Sequence, residues 1–299
     1  MNIGSTLIVD TFAEAFGMRY ARLIVTAHDD YWLDAAARAL TGYATSIIAC
    51  DAEVGIERPL SASETPDGRP GFAALLFGVS NDGLAKALAN RTGQCLMTCP
   101  TTAVFNGLPD AAEKLPLGKH VRFFGDGFQK SKQVAGRRYW RVPVMDGEFL
   151  IEDKVGVARG VAGGNLILQA SSVPACLAAV RRAVEALAGR PGVIAPFPGG
   201  VARSGSKVGS RYKGLPASTA DAYCPTLRGR TETQLLEGVN CALEIVLDGI
   251  DEATVAGGMA TAMQAAAGDG LLAIGAGNYG GKLGKFHFHL RKLVESEPS

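Results

Sequence analysis

The sequence predicts an α+β protein built from two similar lobes. The first observation is an internal repeat, because each half of the 299-residue chain contains an apolar strand, an amphipathic helix and a second apolar strand. The second is that each half then adds another strand, helix and strand. The third is a strand-rich middle, residues 122–155, that joins the halves. Strand–helix–strand twice over is the split βαβ or ferredoxin-like arrangement, so we expect two ferredoxin-like lobes, over residues 1–155 and 156–299.

The elements of the first half follow from apolar runs and helical spacing. Strands are predicted at residues 22–27, 45–50, 73–77 and 95–98, and helices at residues 29–39 and 81–90. Residues 56–71 contain the string TPDGRPG, and this density of Gly and Pro predicts a loop.

The elements of the second half have clearer boundaries. Strands are predicted at residues 165–170, 192–196, 242–247 and 271–274, and helices at residues 174–187 and 251–267. Ser171 or Ser172 caps the first of these helices, Pro174 lies in its first turn, and Gly189 follows its end. In the middle region, Asp146-Gly147 predicts a tight hairpin between two strands.

One long segment, residues 196–227, has no regular pattern and reads PFPGGVARSGSKVGSRYKGLPASTADAYCPTL. Its Gly and Pro content excludes a regular helix or a central strand. Aromatic and apolar residues recur along it, which argues against disorder. It contains one acid, Asp221, and four cations, Arg203, Lys207, Arg211 and Lys213. We therefore predict an ordered loop, hereafter the basic loop, that binds an anionic small molecule.

Composition limits the classes of function. The net charge of +1 argues against broad nucleic-acid binding, which needs a basic surface. Hydrophobic residues make up 47% of the chain and charged residues 20%, which is more apolar than a soluble monomer needs and predicts subunit contacts.

The expected location is the cytoplasm. The N-terminus has no basic leader and carries the acids Asp10 and Glu14. Residues 253–281 are apolar, but they are rich in Gly and interrupted by Asp269, so no membrane span is expected. The six cysteines are far apart and predict reduced thiols: Cys50, Cys95, Cys99, Cys176, Cys224 and Cys241.

Several short motifs match known sites incompletely. Residues 275–280 read GAGNYG, but no helix or later acid follows, so a tight turn is favoured over a dinucleotide site. Residues 200–207 have the glycine spacing of a phosphate loop but lack its Gly-Lys-Ser/Thr ending. His287 and His289 share one face of a predicted strand without further ligands, so no metal site is expected.

An acid, Glu244, lies inside the apolar strand predicted at residues 242–247. The pleat places it on the same face as Ala242 and Val246. If that face is covered, loss of water raises the pKa of the carboxyl group and makes Glu244 a candidate general acid. If the face is open, Glu244 is a solvated residue on a half-exposed sheet, and the pattern alone favours this second interpretation.

The basic loop and several uncommon strings together resemble the formylmethanofuran:tetrahydromethanopterin formyltransferases, from about residue 11 to residue 290. The other strings are VGIER at 54–58, TPDGRP at 65–70, FGDGF at 124–128, RYWR at 138–141, PVMDGEF at 143–149 and GNYGGKLG at 277–284. The near-neutral charge is similar to that of the bacterial members, which oxidise formaldehyde.

The resemblance implies transfer of a formyl group between the amine nitrogen of methanofuran and N5 of tetrahydromethanopterin, both substrates, with no metal or bound cofactor. It implies homotetramers, and in bacteria a partnership with formylmethanofuran hydrolase subunits. A buried glutamate is expected to act in the family, and Glu244 matches that position. The residues expected to bind substrates are Arg203, Ser204, Ser206, Lys207, Ser210, Arg211, Lys213, Asn278 and Tyr279.

Two alternatives keep the fold but change the role. In the first, the chain is a non-catalytic scaffold subunit of a formyltransferase/hydrolase complex, although the intact basic loop argues against it. In the second, water replaces the pterin nitrogen and the protein is a hydrolase. Release of formate without pterin distinguishes hydrolysis from transfer.

Overall fold

Two long strands carry the chain between two compact units in a computed structural model that describes residues 1–296. One unit is Met18–Arg159; the other combines Met1–Gly17 with the chain from Gly160 onward. The chain passes from the first of these units to the other for the last time between Arg159 and Gly160, close to the division expected after residue 155. The two units differ from the expected lobes at residues 1–17, which join the C-terminal half because Phe12 to Ala15 pair with a C-terminal strand.

The strands are short at the N-terminus and in the basic loop, and long where they join the units. They are β1 (Asn2–Ile3), β2 (Thr6–Ile8), β3 (Phe12–Thr26), β4 (Glu53–Leu60), β5 (Gly71–Gly78), β6 (Ala103–Asn106), β7 (Glu113–Pro116), β8 (Lys130–Val134), β9 (Arg137–Val144), β10 (Gly147–Glu152), β11 (Lys154–Ala170), β12 (Val193–Ile194), β13 (Lys207–Val208), β14 (Ala217–Ser218), β15 (Cys241–Gly249), β16 (Leu271–Gly275) and β17 (Phe286–His289).

Four of the α-helices are long enough to cover a sheet face. The helices are α1 (Asp30–Thr41), α2 (Asn81–Arg91), α3 (Gly118–Val121), α4 (Val173–Leu187), α5 (Glu252–Ala266) and α6 (Leu290–Ser296). Side-chain caps define the starts of the four long helices, because Asp29, Ser80, Ser172 and Asp251 each accept a backbone N–H from the first turn.

In the unit Met18–Arg159, β3, α1, β4, β5, α2 and β6 follow one another along the chain. Their strands lie side by side in the order β4-β5-β3-β6, all antiparallel, and the β8–β10 meander extends the sheet from β6. Buried side chains from α1 and α2, such as Leu40 and Leu88, pack with strand residues such as Leu23 and Leu76 in one core.

The other unit repeats this arrangement with β11, α4, β12, β15, α5 and β16. The strands lie in the order β12-β15-β11-β16, and β2 extends the sheet beyond β16 as a parallel neighbour. Buried side chains of α4 and α5, such as Ala179 and Met259, pack with Ile245 and Leu247 of β15. Burial of this apolar face stabilises the strand on which Glu244 lies.

Most predicted elements are confirmed. The four long helices, the strands around residues 73–77, 242–247 and 271–274, and the hairpin at Asp146-Gly147 all occur within a few residues of their predicted bounds. The strands predicted at 22–27 and 165–170 also occur, but β3 and β11 each begin ten or more residues earlier than predicted. The predicted strand at 192–196 is reduced to the two residues of β12, Val193–Ile194.

Two predicted strands of the first half are wrong. Residues 45–50 form turns, and the strand is instead β4; residues 95–98 end a π-helical turn, Thr92–Leu96, and the strand is β6. Short apolar runs such as SIIA and CLM do not distinguish a strand from a turn or a helix end. Strand β4 also replaces the first part of the loop predicted from residue 56, because its two glutamates, arginine and proline are not typical of a strand.

A buried ion pair makes that polar strand possible. The Arg22 guanidinium on β3 donates to both carboxylate oxygens of Glu57 on β4, at 2.6 and 2.7 Å. The Glu57 side chain is only 2% exposed, and the Arg22 guanidinium is a bidentate partner that balances its charge. Removing one member of such a pair costs more than the pair contributes, because a charge then stays buried.

We predict that Arg22→Met lowers the free energy of unfolding of the unit Met18–Arg159 by about 3–5 kcal/mol. Both tryptophans, Trp32 and Trp140, lie in this unit, so their fluorescence during urea unfolding reports it directly. The matched control is Arg38→Met, which removes an exposed pair with Asp34 and is expected to change stability by less than about 0.5 kcal/mol. Equal effects of the two substitutions on the free energy of unfolding would contradict a stabilising role of the Arg22–Glu57 ion pair.

Candidate active site

The basic loop is ordered around a small hairpin and three short helical turns. Strands β13 and β14 pair, and Arg211, Tyr212 and Lys213 lie between them. Gly200 has a φ of 77°, and a side chain there would approach Val184 of α4 to 2.7 Å, so glycine permits the loop to pack closely on that helix. The basic loop thus contains local hydrogen-bonded elements, as expected of an ordered loop, and its binding of an anionic molecule stays a prediction.

The loop attaches to β15 through the backbone of Glu244. Its amide donates to the Ala202 carbonyl at 3.0 Å and its carbonyl accepts from the Ala202 amide at 2.8 Å. Val246, on the same face of β15, packs with Phe197 and Ala202 from the loop. The opposite face is covered by helices. The basic loop therefore covers part of the face that holds Glu244: Val246 is buried there, and Ala242 and Glu244 are half-buried, so this face is not an open, solvated one.

The carboxyl group of Glu244 consequently has an altered acidity. Burial raises its pKa to about 7, although a hydrogen bond donated by the Ser206 hydroxyl acts in the opposite direction. At neutral pH the group is close to half protonated, which is the condition for efficient general acid–base catalysis. The protein thus presents a proton donor and acceptor at the base of the loop.

Two tyrosines complete the surroundings of Glu244. Burial and the neighbouring Glu244 charge raise the pKa of Tyr223 to about 12, and the Tyr223 hydroxyl donates to Gln234. Burial and the same charge also raise the pKa of Tyr279, whose hydroxyl accepts from the Val208 amide at 2.8 Å. Both phenols are therefore neutral at physiological pH, and the Tyr223 proton is already donated to Gln234.

The four cations of the loop differ in their surroundings. Lys207 forms an ion pair with Asp221, and this contact lowers the pKa of the Asp221 carboxyl group. Arg203, Arg211 and Lys213 are exposed, and none forms an ion pair with a carboxylate in residues 1–296. These three side chains are the ones free to meet an anionic ligand.

The predicted serines occupy different positions. Ser206 lies against Glu244, as described, whereas Ser204 and Ser210 are exposed. The Ser210 hydroxyl accepts from the Tyr212 amide at 3.1 Å and so stabilises the hairpin turn. Of the three serines, Ser206 is next to the candidate acid.

The glycine-rich turn at residues 275–284 follows β16 and brings Tyr279 to this site. The predicted role of Asn278 as a donor to substrate receives less support, because its side-chain amide donates to Thr11 and to the Phe12 carbonyl, at 3.2 and 3.1 Å. Its oxygen accepts from the Gly280 amide at 3.0 Å. Asn278 thus holds the turn against β3.

Sequence reasoning missed Glu14, a buried acid on β3 that is 2% exposed. Its carboxylate accepts four backbone amides of the glycine-rich turn. Burial raises the pKa of Glu14, but these four hydrogen bonds outweigh it and lower the value to about 2. The available signal was the one used for Glu244, an acid within an apolar run (TFAEAFGM). Tyr223 was missed because nothing in its local pattern distinguishes it.

Of the other sequence candidates, His287 contacts the glycine-rich turn, with its Nε2 3.2 Å from the Gly284 carbonyl oxygen. His287 and His289 lie on β17 as predicted, and the ring of each contacts the Phe12 ring, with centroid distances of 5.1 and 5.3 Å. All six cysteines are free thiols. In the described part of the chain, no three His, Cys, Asp or Glu side chains come together in a way that would hold a metal ion. Within the same residues, no helix is both long enough and apolar enough to cross a membrane.

Comparison with known families identifies the chain. Residues 1–144 match the family described as formylmethanofuran-tetrahydromethanopterin formyltransferase, and residues 147–293 match the part described as its proximal lobe. The chain belongs to this family. The resemblance found in the sequence strings is therefore confirmed.

Relatives of this formyltransferase family align along nearly the whole chain. A formylmethanofuran–tetrahydromethanopterin formyltransferase of Methylococcus capsulatus is 55% identical over 298 residues, which cover 98% of this chain and 100% of the relative. A protein of Methylorubrum extorquens that is named as one of the subunits of a formyltransferase/hydrolase complex is 50% identical, over 96% of both chains.

Solved structures of the family have the same fold. The formyltransferase from Methanosarcina barkeri superimposes with a TM-score of 0.92 at 43% identity, over 98% of this chain and all of the other. A protein chain from the structure of the Methylorubrum extorquens formyltransferase/hydrolase complex with methylofuran superimposes with a TM-score of 0.92 at 49% identity. The match covers 98% of this chain and 99% of the other.

We predict that Glu244→Gln stabilises the protein above neutral pH and not in acid. The folded pKa of about 7 exceeds the ordinary value of 4.5, so the folded state loses stability as pH rises between them, when the buried carboxyl group ionises. The variant should gain on the order of 1–3 kcal/mol relative to wild type at about pH 8 and nothing below about pH 4.5. Scanning calorimetry measures this, with the exposed Glu237→Gln as control; a pH-independent difference would contradict burial of the Glu244 charge.

Proposed function

We propose that this protein transfers a formyl group between the amine nitrogen of methanofuran and N5 of tetrahydromethanopterin. The observation that supports it most directly is the Glu244 carboxyl group, held beneath the basic loop with a pKa of about 7, in a member of this family. A group transfer between two nitrogens needs a residue that both accepts and returns a proton near neutral pH, and Glu244 meets that requirement.

In the proposed reaction, N5 of the reduced pterin attacks the formyl carbon, and the carbonyl electrons move to oxygen to form a tetrahedral oxyanion. The oxyanion electrons then re-form the carbonyl bond, the carbon–nitrogen bond to methanofuran breaks, and its electron pair goes to the amine nitrogen. That nitrogen takes a proton from Glu244, and the proton lost by N5 restores the acid. No net proton, oxidant or reductant is required, so the residues present suffice for this balance.

Hydrogen-bond donors next to Glu244 are suited to the oxyanion. The Ser206 hydroxyl lies against the carboxyl group, and Tyr223 and Tyr279 stay protonated because the pKa of each phenol is raised. Donors held before the reaction stabilise developing charge more than mobile water does. We propose the Tyr279 hydroxyl for this role, because the Ser206 proton is donated to Glu244 and the Tyr223 proton to Gln234. Ser206 then positions the carboxyl group, and Asn278 holds the turn.

The exposed cations of the loop are proposed to bind the acidic tails of the substrates. Arg203, Arg211 and Lys213 form no ion pair with a carboxylate of the described chain, and Lys207 is shared with Asp221. Ser204 and Ser210 add exposed hydroxyls on the same loop. Charge-assisted hydrogen bonds of this kind favour a polycarboxylate over a neutral tail.

The assembly and the fold relationship are also proposals. A homotetramer would account for the apolar composition of the chain. Association with formylmethanofuran hydrolase subunits is supported by the Methylorubrum extorquens relative, whose name makes it part of a formyltransferase/hydrolase complex. The strands lie in the order β6-β3-β5-β4 in one unit and β16-β11-β15-β12 in the other. Numbered along the chain within each unit, both orders are 4-1-3-2, which supports ferredoxin-like lobes. A cytoplasmic location and the absence of a bound cofactor stay predictions.

The test of the proposed function is a direct assay of purified wild-type protein with formylmethanofuran and tetrahydromethanopterin, with and without chelator. We expect 5-formyltetrahydromethanopterin, detected after acid conversion to the absorbing methenyl form, and no formate when pterin is omitted. Formate release without pterin would indicate a hydrolase. A folded protein that produces neither product would indicate the scaffold alternative.

In the same assay, Glu244→Gln is expected to lower kcat by about 10²–10⁴ with little change in KM, since a positioned acid acts on the transition state. The wild-type rate should also fall as pH rises through about 7, because Glu244 then loses the proton that the leaving amine needs. Near-normal turnover in Glu244→Gln would remove this residue from the mechanism. Glu237→Gln, in an exposed position, is the control.

Removal of a loop cation should weaken binding and spare the chemistry. Arg211→Ala and Lys213→Ala are each expected to raise KM by about two- to fivefold, an effect that diminishes at high salt because the side chains are exposed. The control Arg38→Ala removes an exposed cation from the other unit. If KM is unchanged or the effect is independent of salt, the loop does not bind the tails by charge.

A further inference from the structure

Glu14 is a buried anion that is stabilised by backbone amides. Its Oε2 accepts from the amides of Tyr279 and Gly281 at 2.7 and 3.0 Å, and its Oε1 accepts from those of Leu283 and Gly284. No lysine, arginine or histidine in residues 1–296 forms an ion pair with it. Four amide dipoles thus balance its charge, as they do in backbone sites for anions.

The four amides come from six consecutive residues, so one carboxylate determines the path of the turn. Glycine is required there: at Gly284 an added side chain would approach the Ala15 carbonyl oxygen to 2.4 Å, and Gly280 and Gly281 have φ values of 70° and 75°. Such a segment has little intrinsic preference for one conformation, since glycine loses more backbone freedom on ordering than any other residue. The hydrogen bonds to Glu14 compensate for that loss.

The turn is connected to the candidate acid through Tyr279. The Tyr279 amide donates to Glu14, and its hydroxyl accepts from the Val208 amide in the basic loop at 2.8 Å. The Glu244 charge acts on the same phenol. Two residues before Val208, Ser206 donates to Glu244. A continuous set of contacts therefore leads from Glu14 to the Glu244 carboxyl group.

We propose that Glu14 is a positioning residue for formyl transfer, which holds the turn at residues 279–284 and thereby keeps Tyr279 and the basic loop in place around Glu244. This inference rests on the proposed function. Glu14 itself takes no part in proton transfer or in substrate binding. Its effect on the reaction passes through the backbone of the turn.

The test is Glu14→Gln, which preserves size but replaces an acceptor oxygen with an NH₂ group that faces amide donors. We expect kcat to fall about 10- to 100-fold with KM changed less than about threefold, because a misplaced catalytic group costs rate more than binding. Hydrogen exchange of the amides of residues 279–284, measured without substrate, should be at least about tenfold faster.

The matched control is Glu152→Gln in the other unit. Glu152 is also a buried carboxylate, and it accepts from the Asn106 amide and from Arg137. Its substitution should reduce thermal stability without changing kcat or the exchange of the turn. Glu14→Asp keeps the charge and should retain part of the wild-type kcat and part of the protection of the turn from hydrogen exchange. This variant is the one to measure if Glu14→Gln does not fold.

Each outcome decides the proposal. Unchanged exchange in the turn, or a kcat loss no larger than that of Glu152→Gln, would overturn it. If wild-type protein shows no formyl transfer, the proposed function fails; faster exchange in Glu14→Gln would then still establish that Glu14 orders the turn, and the claim of a catalytic effect would be lost with the function.

Discussion

The site depends on one constraint, the coverage of β15 on both faces. Helices α4 and α5 bury Ile245 and Leu247 on one face, and the basic loop buries Val246 on the other. The backbone pairing of Ala202 with Glu244 fixes where the loop crosses. An ionisable side chain in such a strand loses water without gaining a cation, so its pKa rises and its charged form becomes unfavourable.

The structure places two carboxyl groups in opposite states within the same unit. Glu14 accepts four amides and stays ionised, whereas Glu244 has one hydroxyl partner and titrates near neutrality. Both are desolvated, so burial alone does not determine acidity. The number of donors that reach each carboxylate sets the two pKa values apart.

The sequence was informative where pattern and chemistry coincide. Helix caps, apolar strands and the glycine- and cation-rich loop were predicted from residue types alone, and Glu244 was singled out as an acid in an apolar strand. The coverage of its face was not predictable, since Phe197 and Ala202 lie more than forty residues away along the chain. Strand β4 was not predictable either, because its residues are too polar for a strand when read alone. The charge of Glu57 is balanced by Arg22 on β3, a partner that the local pattern does not reveal.

The pairing of Ala202 with Glu244 has a consequence beyond acidity. Strand β15 has β11 on one side, while its other side is met, within the described residues, by the two residues of β12 and by Ala202. An uncovered strand edge offers free amides and carbonyls to other chains. The basic loop therefore also shields this edge, and a protein whose loop detaches would expose a template for intermolecular β-pairing and aggregation.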